Sequence, residues 1–376
     1  MTWHARASRQ KKKDDLTMPG NLCSSILVAC LLFACGCNTS HTAEPRGKVG
    51  RPANPRSSDE VGQAGVVPSQ FAAAGSPLAN PLQPQRAMRY LQQICQLGPR
   101  VTGSAAMAAQ QELLVNHFEQ LGGQVHLQRF RIRHPLTTNP VPVANLIVQW
   151  HPEMDRRILL CAHYDTRPQA DNPQVAAALR GQVFLGANDG ASGVALLMEL
   201  AHFVPQVAGN YGVDFLLVDA EEFVFPGTKK QRYFIGSEYF ARNYAARPEA
   251  VSYSYPKAAV LDMIGDRELQ IYQDRNSIWW RDTRPVTREI WDVARRLGVK
   301  EFIPRTHPRM KQPIQDDHLM LRNVGKIPTC EIIDFDYPKF PLNRYWHTDQ
   351  DTPDKCSGAS LVKVGWVILE WLKTAA

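Results

Sequence analysis

The chain has 376 residues, of which 44% are hydrophobic and 21% are charged, a composition that is ordinary for a globular protein with a sizeable core. Its formal net charge is +7, but residues 1–60 hold nine Lys or Arg and five Asp or Glu, so more than half of the excess lies in a basic leader. No stripe of Lys and Arg interleaved with aromatic residues follows, and we therefore expect no nucleic-acid partner.

The N-terminal segment 1–37 has the layout of a secretory signal peptide. Basic residues precede the apolar run 22–37, which is too short for a comfortable membrane span. The run ends in small residues and cysteines, so the leader is either an ordinary cleaved signal or a bacterial lipoprotein signal that carries its lipid on Cys35 or Cys37. We expect an exported protein of the periplasm or cell envelope, with such a lipid as its one possible membrane anchor.

Residues 38–84 are rich in Pro, Ala, Gly and Ser and lack apolar periodicity, which predicts a flexible linker. The remaining range, 85–376, is predicted to be one folded domain, and we expect it to be a monomer.

Hydrophobic spacing within this domain predicts alternating helices and strands. The predicted helices lie at 86–97, 104–121 with Ser104 as N-cap, after the Asp189 loop to about 203, and at 237–244, 287–297 and 357–373. The predicted strands lie at 124–133, 141–150, 158–162, 213–218, 258–263, 268–273 and 327–333. Such alternation predicts a three-layer α/β/α domain with a mixed, mostly parallel sheet of about eight strands.

Acidic and histidine residues recur where predicted strands end. His163 and Asp165 follow a buried strand, and Glu221 and Glu222 follow another; Asp189 lies in a glycine-rich loop before a helix. Each pattern by itself is also compatible with a simple turn or a solvated acidic pair. Because loops converge at the strand ends of such sheets, the combination predicts a metal site.

A fourth candidate is His347, which Trp346 precedes after a Pro-rich loop. A lone histidine is weak evidence, although a tryptophan beside it could form an apolar wall of a pocket. Four loops are expected to determine specificity, namely 166–187, 223–235, 303–315 and 334–346.

The order of these motifs resembles the family of zinc aminopeptidases and glutaminyl-peptide cyclotransferases. The resemblance runs from about residue 86 to the C-terminus and predicts that the folded domain is a zinc-dependent catalytic domain. It is carried by the stretches Gly98–Ser104, His163-x-Asp165, Asn188-Asp189-Gly190, Glu221-Glu222, Gly236-Ser237, Leu261–Gly265 and Trp346-His347-Thr348.

The resemblance implies particular roles for individual positions. Asp189, Glu222 and His347 match the zinc ligands of the family, and Glu221 matches its general acid/base. This set of oxygen and nitrogen donors is compatible with tetrahedral zinc that keeps one position open. The resemblance also implies a cis peptide bond after Asp189.

A second zinc, if present as in the aminopeptidases, would be held by His163 and Asp262 together with the bridging Asp189. The cyclases of the family use one zinc and place Asp262 and Asp316 in a hydrogen-bond chain with the general base. One or two zinc ions are therefore expected. Trp346 resembles the pocket tryptophan of the cyclases and is predicted to contact the substrate.

The resemblance leaves two reactions open. A cyclase would convert an N-terminal Gln of a peptide or protein to pyroglutamate and release ammonia, whereas an aminopeptidase would hydrolyse the first peptide bond. Asp316 and Trp346 favour the cyclase. Glu331, which stands where animal cyclases carry a histidine, departs from the pattern; it is predicted to be near the substrate or a second metal. A third hypothesis, a non-catalytic binding protein, predicts the loss of a ligand or of the base, and none is missing.

Overall fold

The computed structural model describes residues 79–173, 181–226, 228, 231–247 and 253–375. The predicted signal peptide and most of the predicted linker lie outside the described residues. Within those ranges, no helix combines the length and the apolar character that a membrane crossing requires.

The described residues form helices and strands that alternate along most of the chain. The helices are α1 (Pro84–Gln96), α2 (Ala105–Gln120), α3 (Ser192–Leu200), α4 (Ile235–Ala245), α5 (Arg275–Trp279), α6 (Arg284–Leu297), α7 (His318–Asn323) and α8 (Gly358–Ala375). The strands are β1 (Gln124–Arg133), β2 (Pro140–Trp150), β3 (Arg156–His163), β4 (Gly212–Val218), β5 (Ser254–Asp262), β6 (Ile271–Tyr272), β7 (Phe302–Ile303) and β8 (Thr329–Ile333).

Six of the strands form one mixed sheet in the order β1-β2-β4-β3-β5-β8. The pairs β1/β2 and β2/β4 are antiparallel, and the pairs β4/β3, β3/β5 and β5/β8 are parallel. The mixed, mostly parallel sheet is therefore confirmed. The predicted number of about eight strands in it is wrong, because the short β6 and β7 pair only with each other.

Helices cover both faces of the sheet, as the three-layer prediction requires. Successive residues of a strand point to opposite faces, and in β3 Leu160 joins the larger hydrophobic core while Leu159 joins a second core. The larger core also contains residues of α1, α2, α3, α6 and α8, and the second core contains Phe240 of α4 and Leu321 of α7.

Local sequence signals place several elements well. Ser104 is the N-cap of α2, and its hydroxyl accepts a hydrogen bond from the backbone N–H of Met107. The bounds of β1 are those predicted. By contrast, α5, α7 and β7 are not predicted, because segments of two to six residues are too short to show a hydrophobic period.

Residues 79–84, at the end of the range expected to be a linker, pack against the domain. Leu82 is buried, and the Asn80 side chain donates a hydrogen bond to the Val362 carbonyl (2.9 Å). The backbone N–H of Gln83 donates to the buried carboxylate of Glu199 (2.8 Å). These contacts tie the first described residues to α3 and α8.

Glu199 is expected to be a major contributor to this attachment. It is fully buried in α3 and accepts two hydrogen bonds from the Arg86 guanidinium, at 2.6 and 2.8 Å. Glu199→Ala leaves a partly buried cation and the Gln83 N–H without a partner, and should lower the free energy of unfolding by about 2–3 kcal/mol. Asp292→Ala, which removes an exposed ion pair with Arg295, should change it by less than about 0.5 kcal/mol. Equal effects in urea unfolding would contradict the prediction.

Candidate metal centre and active site

The candidate site lies at the carboxyl end of the parallel strands. Because β4, β3 and β5 are parallel neighbours, Val218, His163 and Asp262 end at the same edge of the sheet. The Asp189 loop enters from the start of α3. Gly190 in this loop has φ +98°, and a Cβ there would lie 2.5 Å from the Asp165 carbonyl oxygen, which explains why the loop needs glycine.

Asp189, Glu222 and His347 bring one ligand atom each to within 4.8 Å of one another. The Nε2 atom of His347 lies 3.4 Å from Asp189 Oδ2 and 3.5 Å from Glu222 Oε2. Donors about 2.0–2.1 Å from a tetrahedral zinc are about 3.3 Å apart, so these distances suit the ion. Asp189 Oδ2 is also buried without a hydrogen-bond donor. The donor set therefore fits zinc.

A second donor set shares Asp189. The Nε2 atom of His163 lies 3.2 Å from Asp189 Oδ1 and 3.2 Å from Asp262 Oδ1, and the ligand atoms of the three residues also lie within 4.8 Å of one another. The two oxygens of Asp189 thus face different histidines. A third group of three comprises His163, Glu221 and Glu222.

Arg167 and Asp171 support two residues of the first donor set, and neither was singled out from the sequence. Arg167 donates its backbone N–H to Glu222 Oε1 (2.8 Å), and its Nε lies 2.9 Å from Glu222 Oε2. Asp171 lies 3.3 Å from His347 Nδ1 and 3.2 Å from a terminal nitrogen of Arg167. A carboxylate on Nδ1 leaves Nε2 of His347 free to bind a metal.

Asp351 holds the Asp189 loop and was also missed. Its carboxylate accepts the backbone N–H groups of Asn188 (2.8 Å) and Asp189 (3.1 Å) and the hydroxyl of Tyr337 (2.7 Å). Burial raises the pKa of Asp351 to about 7, and Asp189 adds to this shift. The only sequence signal was an acid four residues after His347.

Asp165 holds the neighbouring acidic pair. Its two oxygens accept the backbone N–H groups of Glu221 (3.0 Å) and Glu222 (3.2 Å). Asp165 could also orient the neighbouring His163, but their closest approach is 3.7 Å and His163 Nδ1 has no hydrogen-bond partner among the described residues. Asp165 therefore fixes the strand-end turn more directly than it fixes the imidazole.

Arg100, in the Gly98–Ser104 stretch, holds the segment that leads into the Asp189 loop. Its guanidinium is fully buried and donates hydrogen bonds to the carbonyl oxygens of Leu185 and Gly186. Its own carbonyl accepts the N–H of Thr166 (3.2 Å). Arg100 therefore ties together the loops on either side of the site.

Backbone strain concentrates around the same residues. Ala220, which precedes Glu221, has φ +58°; Met263, which follows Asp262, has φ +48°; and His347 itself has φ +54°. Left-handed conformations are uncommon for residues other than glycine and often mark functional sites. The expected cis peptide after Asp189 is wrong, since the cis bonds among the described residues are Tyr337-Pro338 and Phe340-Pro341.

A cavity of about 540 Å³ opens above the donor sets. Its acidic wall includes Glu221, Asp262 and Asp316, all predicted to be catalytic. Trp346 also lines it and stacks on the His347 imidazole, with ring centroids 3.7 Å apart. A substrate that enters the cavity would therefore contact the predicted catalytic acids and Trp346 together.

Glu331 does not reach this cavity. Its side chain is fully buried on β8, and Glu331 Oε2 lies 2.8 Å from Nδ1 of the equally buried His318. A substrate in the cavity would not touch it, so the predicted substrate contact of Glu331 has no place in this structure. The sequence signal, an acid in a strand before the last loop, could not show that α7 covers that face.

Two acids that line the cavity, Glu221 and Asp316, have raised pKa values. Burial raises the pKa of Glu221 well above its usual range; His163 opposes this shift and Glu222 adds to it. Burial, together with Asp262 and Asp317, raises the pKa of Asp316 in the same direction. Carboxyl groups with raised pKa values can hold and pass on protons near neutral pH.

The profile of peptidase family M28 matches residues 145–372, which is more than half of the chain and includes all three predicted zinc ligands. The chain belongs to peptidase family M28. The family resemblance noted in the sequence is thereby confirmed.

Three proteins illustrate what this chain is similar to. It is 25% identical over 258 residues to a glutaminyl-peptide cyclotransferase of Gloydius blomhoffii, covering 61% of this chain and 66% of that protein, less than two thirds of its length. The crystal structure of Fimbriiglobus ruber glutaminyl cyclase matches with a TM-score of 0.72 and 38% identity, covering 78% of this chain and 95% of that one. A Zn-dependent exopeptidase from Parabacteroides distasonis matches with a TM-score of 0.70 and 27% identity, covering 78% and 99%.

Asp171→Asn is expected to weaken zinc binding by about 10–100-fold, the usual cost of removing an outer-shell partner of a ligating histidine. The variant keeps the volume of the side chain but removes the negative charge beside His347 Nδ1 and Arg167. Competition with a chelator measures the affinity directly. Asp282→Asn, at an exposed ion pair with Arg322, serves as the control and should bind zinc like the unaltered chain. An unchanged affinity in Asp171→Asn would refute the orienting role.

Proposed function

We propose that the chain is a zinc-dependent glutaminyl-peptide cyclotransferase, which converts the N-terminal Gln of peptides and proteins to pyroglutamate and releases ammonia. The observation that carries the proposal is the position of Asp316. Its buried carboxyl lines the same cavity as Glu221 and Asp262, and burial together with the Asp262 charge raises its pKa. The similarity to the Fimbriiglobus ruber cyclase supports the same reaction.

The cyclisation consumes no water, but it requires a group that carries a proton from the amine to the leaving nitrogen. The α-amine nitrogen of the substrate bonds to the side-chain amide carbon, the bond from that carbon to the amide nitrogen breaks, and ammonia leaves. Glu221 is proposed to take a proton from the amine and return it to the departing nitrogen, with Asp262 and Asp316 holding the carboxyl in place. Zinc, held by Asp189, Glu222 and His347, would polarise the amide carbonyl.

Trp346 is proposed to form an apolar wall for the glutamine side chain, since it lines the cavity beside His347. We further propose that the enzyme is exported to the periplasm or cell envelope, on the strength of its leader, and that it acts as a monomer. The leader is either an ordinary cleaved signal or a lipoprotein signal with its lipid on Cys35 or Cys37, and in the second case that lipid would hold the enzyme at the membrane.

The second candidate is a metallo-aminopeptidase. It is favoured by the complete second donor set of His163, Asp189 and Asp262, and by the similarity to a Zn-dependent exopeptidase. In that reaction Glu221 would take the proton of the attacking water instead of that of the substrate amine.

A paired assay on one sample separates the two reactions. Purified full-length chain is given Gln-peptides, with ammonia release and product mass followed, and aminoacyl-p-nitroanilides, while its zinc content is measured. Ammonia loss from an otherwise intact peptide supports the proposal. Release of free amino acids without ammonia would replace it with the aminopeptidase. Neither activity in a zinc-loaded sample would favour the non-catalytic binding protein.

A further inference from the structure

Three arginines lie at alternate positions of β1 and have no ion-pair or hydrogen-bond partner for their side chains among the described residues. Arg129, Arg131 and Arg133 are exposed on β1, which is an edge strand of the sheet. Within the described ranges, no ion pair or side-chain hydrogen bond involves any of the three. Residues two apart in a strand share a face and are about 6.6–6.8 Å apart, so the three side chains form a regularly spaced row. We call this set the arginine row.

Two grooves flank the arginine row, and none of the described residues that line them is acidic. The first, of about 390 Å³, lies between β1 and the start of α2 and is lined by Ser104, Met107, Gln111, Arg129 and Arg131, among others. The second, of about 440 Å³, lies against the loop after Glu222. We call the second the loop groove.

The loop groove is both basic and apolar, since its wall includes Arg133 and Arg232 beside Phe223 and Phe225. Arg131 lines both grooves. Arg232 has a partner in Glu238 (2.9 Å), whereas the arginine row has none. The positive charge of this surface is therefore only partly compensated by the protein itself.

The loop groove adjoins the active-site cavity at both ends of the intervening loop. At one end Glu222 lines the cavity and its neighbour Phe223 lines the groove. At the other end Tyr233 lines the cavity and its neighbour Arg232 lines the groove. Neighbouring residues at both ends of this loop therefore line the cavity and the loop groove.

We propose that the arginine row and the loop groove bind the downstream part of the substrate chain, and that they select peptides with acidic residues beyond the N-terminal glutamine. This inference rests on the proposed function of the cavity. A peptide whose N-terminus lies in the cavity continues over Tyr233 into the loop groove. If it is extended, its alternate side chains have the same spacing as the arginine row, so acidic residues at every second position match it.

Arginines on an edge strand also discourage pairing with other chains, and that role alone would need no acidic ligand. The two explanations differ in one measurable respect. Binding of the downstream chain makes turnover depend on the charge of that chain, whereas protection of the edge does not.

The test uses two sets of Gln-peptides that differ only in charge. One set carries Asp at three alternate positions, and the other carries Asn at the same positions. Within each set the first of these positions lies four, six or eight residues from the N-terminus. For the full-length chain, kcat/KM should be about fivefold higher for the best-placed Asp peptide, the size expected for three exposed ion pairs. The difference should lie in KM and disappear in about 0.5 M salt.

The matched variant changes Arg129, Arg131 and Arg133 together to Gln. It should treat both sets alike while turning over a Gln-dipeptide like the unaltered chain, because the dipeptide does not reach the arginine row. No preference in the unaltered chain, or an equal preference in the variant, would overturn the proposal.

A binding measurement keeps this outcome separate from failure of the proposed function. The Asp peptide carries a fluorophore at its C-terminus, and its anisotropy is followed with the unaltered chain and with the variant. If the unaltered chain binds the Asp peptide, the variant does not, and neither cyclises a Gln-peptide, the cyclase is rejected and the binding role of the arginine row and the loop groove is retained. If the chain cyclises Gln-peptides but binds the Asp peptide without any dependence on charge, the cyclase is retained and this binding role is rejected.

Discussion

Replacing Glu221 by Gln is expected to lower kcat for the cyclisation of Gln-peptides by about 10²–10⁴-fold, the range lost with a general acid/base. The amide has nearly the same shape as the carboxyl but cannot carry the proton. The backbone N–H of Glu221 stays bonded to Asp165, so the local turn should persist. The measurement is steady-state ammonia release from a Gln-peptide.

The zinc content of Glu221→Gln tests whether Glu221 is also a metal ligand. Glu221 is not in the Asp189, Glu222 and His347 set, so zinc should remain bound in Glu221→Gln. Glu301→Gln, on a partly exposed ion pair with Lys363, is the matched acid-to-amide control and should leave both turnover and zinc unchanged. Full turnover in Glu221→Gln would show that Glu221 is not the proton carrier. Loss of zinc in this variant would indicate that Glu221 is a metal ligand.

Asp189→Ala is expected to remove bound metal altogether and to reduce either activity below detection. Its two oxygens face His347 and His163 separately, so one substitution damages both donor sets. The loss of affinity should exceed the roughly 100-fold upper range for an outer-shell residue, because a direct ligand is lost. Dialysis followed by elemental analysis measures the retained zinc, and thermal unfolding of the same sample shows whether the fold persists. Stoichiometric zinc after dialysis would contradict the assignment.

His163→Ala is the informative companion, since it damages only the second donor set. If the chain uses one zinc, this variant should retain it, because Asp189, Glu222 and His347 are untouched. If the chain uses two, it should lose one. The pair of variants thus counts the metals and separates the ligands of each.

Much of this site could be predicted because strand ends are visible in the sequence. A continuous apolar run followed by an acid or histidine identifies a buried strand and the chemistry just beyond it, as with His163 at the end of one strand and Glu221 three residues after another. Parallel strands then bring those ends together without further information. The structure brings Glu222 together with Asp189 and His347, which lie in loops and whose roles came from the family resemblance.

The supporting residues could not be found in the same way. Asp351 holds the N–H groups of Asn188 and Asp189, more than 160 positions earlier in the chain. Asp171 and Arg167 lie in a loop with no periodic signal, and only the folded chain brings them to His347 and Glu222. Isolated acids and bases in loops look alike in a sequence whether they are solvated or paired.

The sequence by itself determined the local structure and the chemistry at the strand ends: the helix that Ser104 caps, the bounds of β1, and the acids and histidines that follow buried strands. These features depend on short-range periodicity and residue type. The tertiary structure alone decided that Glu331 pairs with His318 behind the cavity and that β6 joins β7 outside the main sheet. Such choices depend on which distant segments pack against each strand, since alternation along a strand fixes its two faces but not what covers them.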